Sequence, residues 1–353
     1  MVTIQDVAQA AGVSPMTVSN VLNERTMVRP ETRAKVVDAI DRLGYRVNVA
    51  ARNLRAGRTG TIGLALPDLD RPYNGQLAAL IIHEGQRHGL RVVVEETGAR
   101  RQDELDAIAL SRVRLYDGLI LSAVGLDSTD LAQMAASGPV VLLGERVSDS
   151  PADHVGVPNV AGAAAMTAHL LATRRRIAIL GAPLGFHEYP DLNVVDAARL
   201  RIRGYRDELG ACGEEYDPDL IVETDEWSTP AGWAATTQLL ARHLHIDAIF
   251  GLSDSLALGA LRALADAGIR VPQDVAVAGF DGLAEAQFSV PSLTTVAVDH
   301  SQIAELALRF LMERLDNDGE ALPGRNVICD FNIAIRESTT MTSENHCSHL
   351  EDI

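Results

Sequence analysis

Two hydrophobic periods divide the chain. Near the N-terminus apolar residues recur with the helical period. Ile4, Val7, Ala8 and Ala11 fall at i, i+3, i+4 and i+7, one face of a helix. Thr3 stands where a cap belongs, and Asp6 at the third helical position answers it as a capping-box variant. Gly12 suits the residue just past the end. Ser14 then caps a second helix with Pro15 at its first position, where a missing N–H costs nothing. Its inward residues are Val18, Val21 and Leu22. A third helix follows Pro30, burying Val36, Val37, Ile40 and Leu43 and stopping at Gly44. Its start carries Arg29 where Ser or Asp is expected.

From Thr61 onward short β-rich runs alternate with amphipathic stretches. The strands expected are Ile62–Leu66, Arg91–Glu95, Gly118–Leu121, Val140–Leu143, Ile177–Leu180, Ala248–Gly251 and Val275–Gly279. The helices expected are Gln76–His88, Asp103–Val113, Val160–Leu171, Leu200–Leu209, Gly232–Arg242, Ser255–Ala267 and Ser301–Leu315. This alternation predicts an α/β fold: two doubly wound parallel lobes with helices on both faces of each sheet. Ligands of such folds bind outside the carboxyl ends of the strands. Met341–Ile353 is polar and aperiodic and reads as a disordered tail without an a/d repeat, which predicts a dimer rather than a coiled-coil tetramer.

Composition sharpens the picture in three places. With 353 residues the chain has room for two or three domains, and 47% hydrophobic with 22% charged residues is ordinary for a globular protein. No apolar run approaches the roughly 18 residues of a membrane span, and no basic and apolar leader opens the chain, so the expected location is the cytoplasm without a membrane partner. Cys212, Cys329 and Cys347 form no C-x-x-C pair, and neither His243 with His245 nor His346, Cys347 and His349 completes a four-ligand metal set. Lys35 is the only lysine, which excludes a Walker A loop. No Ser/His/Asp set sits in a nucleophile elbow, so neither an enzyme nor a cofactor is expected. Net charge is −17, yet residues 1–58 hold nine basic and five acidic groups, net +4, against 22 basic and 43 acidic, net −21, beyond them. A basic head on an acidic body suits a head that meets phosphate.

Thr3 to Asn23 forms helix, three-residue turn with Gly12, and capped second helix: a helix-turn-helix, or on geometry alone a plain helical hairpin. Pro15, Met16, Thr17, Ser19 and Asn20 are the residues its second helix would turn outward. This segment, with Val28-Arg29-Pro30-Glu31-Thr32-Arg33, Leu43-Gly44-Tyr45, Ala51-Arg52-Asn53-Leu54-Arg55, Thr61-Ile62-Gly63-Leu64, Ser253-Asp254-Ser255-Leu256-Ala257, Val271-Pro272-Gln273-Asp274 and Gly279-Phe280-Asp281, resembles the LacI/GalR family of bacterial transcription repressors. The resemblance spans nearly the whole chain. It implies a helix-turn-helix head (1–47), a hinge helix (48–58), an effector-binding and dimerisation core (59–340) like periplasmic sugar receptors, and the tail (341–353). The core would divide into lobe 1, about 61–158 plus 296–324, and lobe 2, about 159–292 plus 325–340.

The resemblance also implies roles. Pro15, Met16 and Asn20 match base-reading positions, and Asn pairs with adenine in a bidentate way. Ser14, Thr17 and Ser19 match phosphate contacts. Thr3, Asn23, Arg29, Asn48 and Ala51 complete the DNA-contacting set, and Leu54 matches a wedge that enters the minor groove. The hinge segment Asn48–Ala56 is shorter than the roughly 12 residues a marginal isolated helix needs, so it should fold only on DNA. In the core, Arg201, Asp281, Trp227, Ser253 and Tyr73 are the expected effector contacts, while Asp254 reads as the cap of the following helix. Two departures stand out: a long stretch from Gly185 to Asp196 beside the expected ligand mouth, and Pro158 where the family has Asp. The expectation is an allosteric, homodimeric repressor of a carbohydrate uptake or catabolic operon. Its partners are palindromic operator DNA, a small polar effector of the sugar kind, and a second copy. The alternative is a small-molecule receptor for a sugar or nucleobase whose output is not DNA binding.

Overall fold

The computed structural model describes residues 2–22, 28–45, 58–112, 115–134, 138–145, 152–192, 195–317 and 322–341. Contacts divide the chain at Gly60 into a helical unit, Met1–Gly60, and an α/β unit, Thr61–Ile353.

In the first unit, α1 (Ile4–Ala11) opens with both halves of the capping box: the Asp6 amide donates to Thr3 Oγ1 at 3.3 Å, and the Thr3 amide donates to Asp6 Oδ2 at 2.8 Å. These hydrogen bonds hold the Asp6 carboxyl below its ordinary value. Gly12 closes the helix at φ 65°, a conformation that costs glycine nothing. In α2 (Pro15–Leu22), Ser14 Oγ accepts the Thr17 amide at 3.1 Å. α3 (Pro30–Leu43) has no side-chain cap at Arg29, as the sequence predicts. Val7, Ala8, Val18, Val21, Val36 and Ala39 form the small core. Val37 does not join it: it is 44% exposed, and Ala39 is buried instead. One residue is a rotation of about 100°, so a stripe centred on Val36, Ala39, Ile40 and Leu43 leaves Val37 outside. The expected hinge helix, with Asn48, Ala51 and Leu54, lies outside the described residues, as do Asn23 and the tail beyond Met341.

The second unit holds two six-stranded sheets. The first is built from β1 (Thr61–Leu66), β2 (Arg91–Glu96), β3 (Gly118–Ser122), β4 (Val140–Leu143), β5 (Asp153–Gly156) and β11 (Asn326–Ile328), in the order β11-β5-β4-β3-β1-β2. The second joins β6 (Ile177–Ala182), β7 (Ile221–Glu223), β8 (Ala248–Gly251), β9 (Ala276–Asp281), β10 (Thr294–Val298) and β12 (Phe331–Ala334), in the order β12-β10-β9-β8-β6-β7. Every pairing is parallel except β10 with β12. β6 and β9 are buried along their whole length, the mark of strands covered on both faces. The helices are α4 (Pro72–Arg87), α5 (Arg101–Arg112), α6 (Ser128–Met134), α7 (Asn159–Leu171), α8 (Ala197–Cys212), α9 (Thr229–Ala241), α10 (Asp254–Asp266), α11 (Ala284–Phe288) and α12 (His300–Asp316).

The lobe boundaries differ from expectation in two strands. β10 belongs to the second sheet rather than the first, and β11 to the first rather than the second. The chain therefore changes lobe after β5, between β10 and α12, and between β11 and β12. The second change falls at His300, because α12 packs on α4, β3, β4 and β5. A buried charge cluster fixes the returning segment. Asp153, fully buried in β5, meets Arg314 of α12 at 2.6 Å and Arg325, just before β11, at 2.9 Å, and it accepts the Arg325 amide at 2.9 Å. Burial alone would raise the Asp153 carboxyl, but hydrogen bonds from Arg325 and Arg314 outweigh it and hold the group at about 2.

Candidate functional site

The carboxyl ends of the strands converge on a cavity of about 370 Å³. Leu66 of β1, Ser122 of β3 and Leu143 of β4 line it from the first sheet; Thr224, Ser253 and Asp281 follow or end β7, β8 and β9 of the second. All five expected effector residues, Tyr73, Arg201, Trp227, Ser253 and Asp281, line this cavity.

Arg201 is at its centre. Asp196 caps α8 by accepting the Arg199 amide at 2.8 Å, and the helix then carries Arg201 inward, where it is 3% exposed. Its Nε donates to Asn159 Oδ1 at 2.7 Å, and its Nη1 donates to the Leu252 carbonyl and, at 3.2 Å, to Asp281 Oδ1. The guanidinium lies 3.6 Å from the Phe280 ring centre and 5.1 Å from that of Trp227. An arginine held by carboxylate, carbonyl, amide and two aromatic rings has few ways to move, and its planar fork is presented ready-made. Asp281 adopts φ 122°, a strained conformation for a residue with a side chain. Its carboxyl is pushed up to about 6 by burial, with Arg201 pulling the other way.

Asp254 lies underneath. The expected cap of α10 is instead Ser253, whose Oγ accepts the Leu256 amide at 3.2 Å. Asp254 is the first helical residue, and its Oδ2 accepts the amides of Gly282 at 2.9 Å and Leu283 at 2.7 Å, clamping the chain that follows Asp281. Its Oδ1 has no partner and faces Gly279, where an added Cβ would stand only 2.2 Å away. Burial, with Asp281 beside it, drives Asp254 well above the usual carboxylate range. Ser253 thus both lines the cavity and starts a helix.

Trp227 donates from Nε1 to the Gly181 carbonyl at 2.9 Å, which fixes its half-buried ring beside Arg201. Tyr73, near the start of α4, stands edge-on to His300 with ring centres 5.1 Å apart. Burial, then the charges of Glu145 and Asp281, push its hydroxyl far up. Two residues of the site were not expected. Asn159, at the start of α7, bonds Arg201 with Oδ1 and Glu145 Oε1 with Nδ2 at 3.2 Å, joining the second lobe to the first. The signal for Asn159 was its neighbour Pro158. For Glu145 it was a carboxylate just past a parallel strand. Of the stretch 185–196, only Asp196 lines the cavity among the described residues. Its first half is tied to β7: the Gly185 and His187 amides donate to Glu223 at 3.1 and 2.9 Å, and Phe186 is buried. Among the described residues no group of three or more His, Cys, Asp or Glu could hold a metal ion, and no helix is long and apolar enough to cross a membrane.

In the helical unit, α2 presents Met16 at 74% exposure, with Pro15 also exposed and Thr17, Ser19 and Asn20 half-buried. The Ser14 and Thr17 hydroxyls share a hydrogen bond of 2.9 Å. Thr3 and Arg29 are exposed.

A tri-helical head with a helix-turn-helix, followed by two α/β lobes around an arginine-centred cavity, is the architecture of a class of DNA-binding transcriptional regulators. Comparison with known proteins agrees. Residues 3–48 match the model for bacterial regulatory proteins of the lacI family, and residues 167–339 match the periplasmic binding protein-like domain. The HTH-type transcriptional regulator CelR of Thermobifida fusca is 31% identical over 95% of this chain and 98% of its own. The ribose operon repressor of Escherichia coli K12 is 31% identical over 89% of this chain and 93% of its own. The crystal structure of the lac repressor dimer bound to operator and the anti-inducer ONPF superposes with a TM-score of 0.80 at 27% identity, over 96% of this chain and 99% of that one. The chain belongs to the LacI family of bacterial transcriptional regulators and is not an enzyme.

Proposed function

We propose that this regulator is a homodimeric repressor of an operon for carbohydrate uptake or catabolism. It grips a palindromic operator with two heads and changes its affinity when a polyhydroxylated effector of the sugar class fills the cavity. The observation that carries this reading is the buried Arg201–Asp281 pair, set against Phe280 and Trp227 at the junction of both sheets. Guanidinium and carboxylate side by side offer donor and acceptor to adjacent hydroxyls, and an aromatic ring suits the apolar face of a sugar. Tyr73 and Ser253 complete the contacts. Asn159 makes the pair sensitive to how the lobes close, since it holds Arg201 within the second lobe and donates to Glu145 of the first. The ribose operon repressor, a relative along most of both chains, supports the sugar class. Phe288 at 79% and Val290 at 94% exposure are large apolar side chains of the kind a second copy covers.

On DNA, Pro15, Met16 and Asn20 read bases. Ser14, Thr17, Ser19, Thr3 and Arg29 hold phosphate, helped by the N-terminus of α2. Asn23, Asn48, Ala51 and the Leu54 wedge, outside the described residues, complete the interface. The test is selection of a binding site from random duplexes, followed by titration at several salt concentrations. A palindrome should emerge, bound by a dimer on light scattering, with log K falling by roughly 0.9 per neutralised phosphate for each decade of salt. Asn20→Ala should cost about 1–3 kcal/mol and relax preference at one base position per half-site. Equal affinity for all duplexes, or no dependence on salt, refutes the reading.

A further inference from the structure

The charges lining the cavity do not balance. Its two arginines are both engaged: Arg201 with Asp281 at 3.2 Å, and Arg71 with Asp68 at 2.9 Å. Asp196 is paired with Arg199 at 2.7 Å. Three lining carboxylates remain, Glu145, Asp225 and Glu226, and among the described residues none has a basic group within ion-pair distance. Asp225 and Glu226 are exposed and keep their water; Glu226 also accepts the Ser228 hydroxyl at 2.5 Å. Glu145 is different. It is half-buried, lines the cavity together with Leu143, Val157 and Tyr73, and among the described residues its one hydrogen bond is the 3.2 Å contact from Asn159 to Oε1. Its charge is felt across the cavity, raising both the Tyr73 hydroxyl and the Asp281 carboxyl.

A carboxylate with one weak partner loses hydration when a ligand fills the space in front of it. A neutral ligand offsets that loss only in part, and an anion adds repulsion in a medium where charges are poorly screened. A protonated amine restores it with a charge-assisted hydrogen bond. We propose that the effector is a polyhydroxylated amine, an amino sugar or close analogue, whose ammonium group pairs with Glu145, and that Glu145 is the residue that selects it over neutral and phosphorylated counterparts. The proposal rests on the sugar-class reading above and narrows it. Arg201 and Asp281 then take ring hydroxyls, while Glu145 takes the one cationic substituent.

The experiment uses the full-length protein and a matched panel: glucose, galactose and mannose, their 2-amino-2-deoxy forms, the N-acetylated forms, which keep the nitrogen but not its charge, and the 6-phosphates. Binding is read by calorimetry at pH 7. At least one amino sugar should bind ten-fold or more tightly than its parent and its N-acetyl form, and no 6-phosphate should bind more tightly than its parent. Glu145→Gln should erase the advantage of the amine while leaving the thermal midpoint near that of the wild type. Binding by neutral or phosphorylated members without that advantage overturns the proposal and leaves the sugar class standing. Retention of the advantage in Glu145→Gln overturns the role of this residue. No binding by any member counts against both readings.

Discussion

Two buried carboxylates set the behaviour of the cavity at the scale of single residues. Asp281 is raised to about 6 from an ordinary 3.8, chiefly by burial, and burial beside Asp281 raises Asp254 well above the ordinary value too. A raised carboxyl favours the folded state when protonated. That contribution is fully present below about pH 4 and is lost as pH rises through about 6. Effector binding runs the other way. Ionised Asp281 accepts more strongly than the protonated form, both from Arg201 and from the ligand hydroxyls proposed for it, so effector affinity should fall as pH drops below about 6. Calorimetry between pH 5 and 8 should show that fall for the wild type and a flat profile for Asp281→Asn; a flat wild-type profile would remove Asp281 from ligand contact. Arg201, Asp281, Trp227, Tyr73 and Ser253 were all legible as cavity residues in the sequence, Ser253 and Asp281 through short motifs and the others through the family resemblance. The roles of Ser253 and Asp254 were not. Both residues cap helices well, and which one turns under to clamp Gly282 and Leu283 depends on a loop almost thirty residues away.

Among the elements, seven strands were legible, and β5, β7, β10, β11 and β12 were not. The capping box of α1, the glycine stops at Gly12 and Gly44 and the strands β1, β4, β6 and β8 follow from local pattern. β5, Asp153–Gly156, escapes notice because it begins with a buried aspartate and histidine, and β11 has only three residues. What makes them strands is tertiary: the Asp153, Arg314 and Arg325 cluster that fastens β11 and α12 to β5. Removing the carboxylate leaves two arginines facing an emptied, buried site. Asp153→Ala should therefore lower stability by about 3–5 kcal/mol, measured by urea denaturation at pH 7. The carboxyl is depressed to about 2, so its contribution is complete above about pH 4 and disappears as pH falls through about 2. The gap between variant and wild type should close along that path, and a gap independent of pH would mean the loss is one of packing.

Across the whole molecule, the helix-turn-helix and the arginine-centred cavity lie in separate units, divided at Gly60. The sequence announced that division through its change of period and through the reversal of charge from head to body. Arg201→Ala removes the centre of the cavity without altering any residue of the head. Ligand-free operator affinity should stay within about two-fold of wild type, while the change in operator affinity on adding effector should shrink by ten-fold or more, since coupling follows differential contact with two lobe arrangements. Titrating operator with and without effector measures both. A variant that keeps its full response would make Arg201 a structural residue. The lobe borders were less legible than the division itself. β10 and β11 each sit in the sheet opposite to the one their position along the chain suggested. That exchange has a consequence during synthesis. The first sheet is missing its outer strand, and β5 lacks both cations for its aspartate, until residues near the end of the chain have left the ribosome. The second sheet waits equally long for β12. Neither sheet holds its full set of strands until β11 and β12 have emerged. A product lacking β11 and β12 would present β5 and β10 as sheet edges, suited to proteolysis rather than to partial regulation.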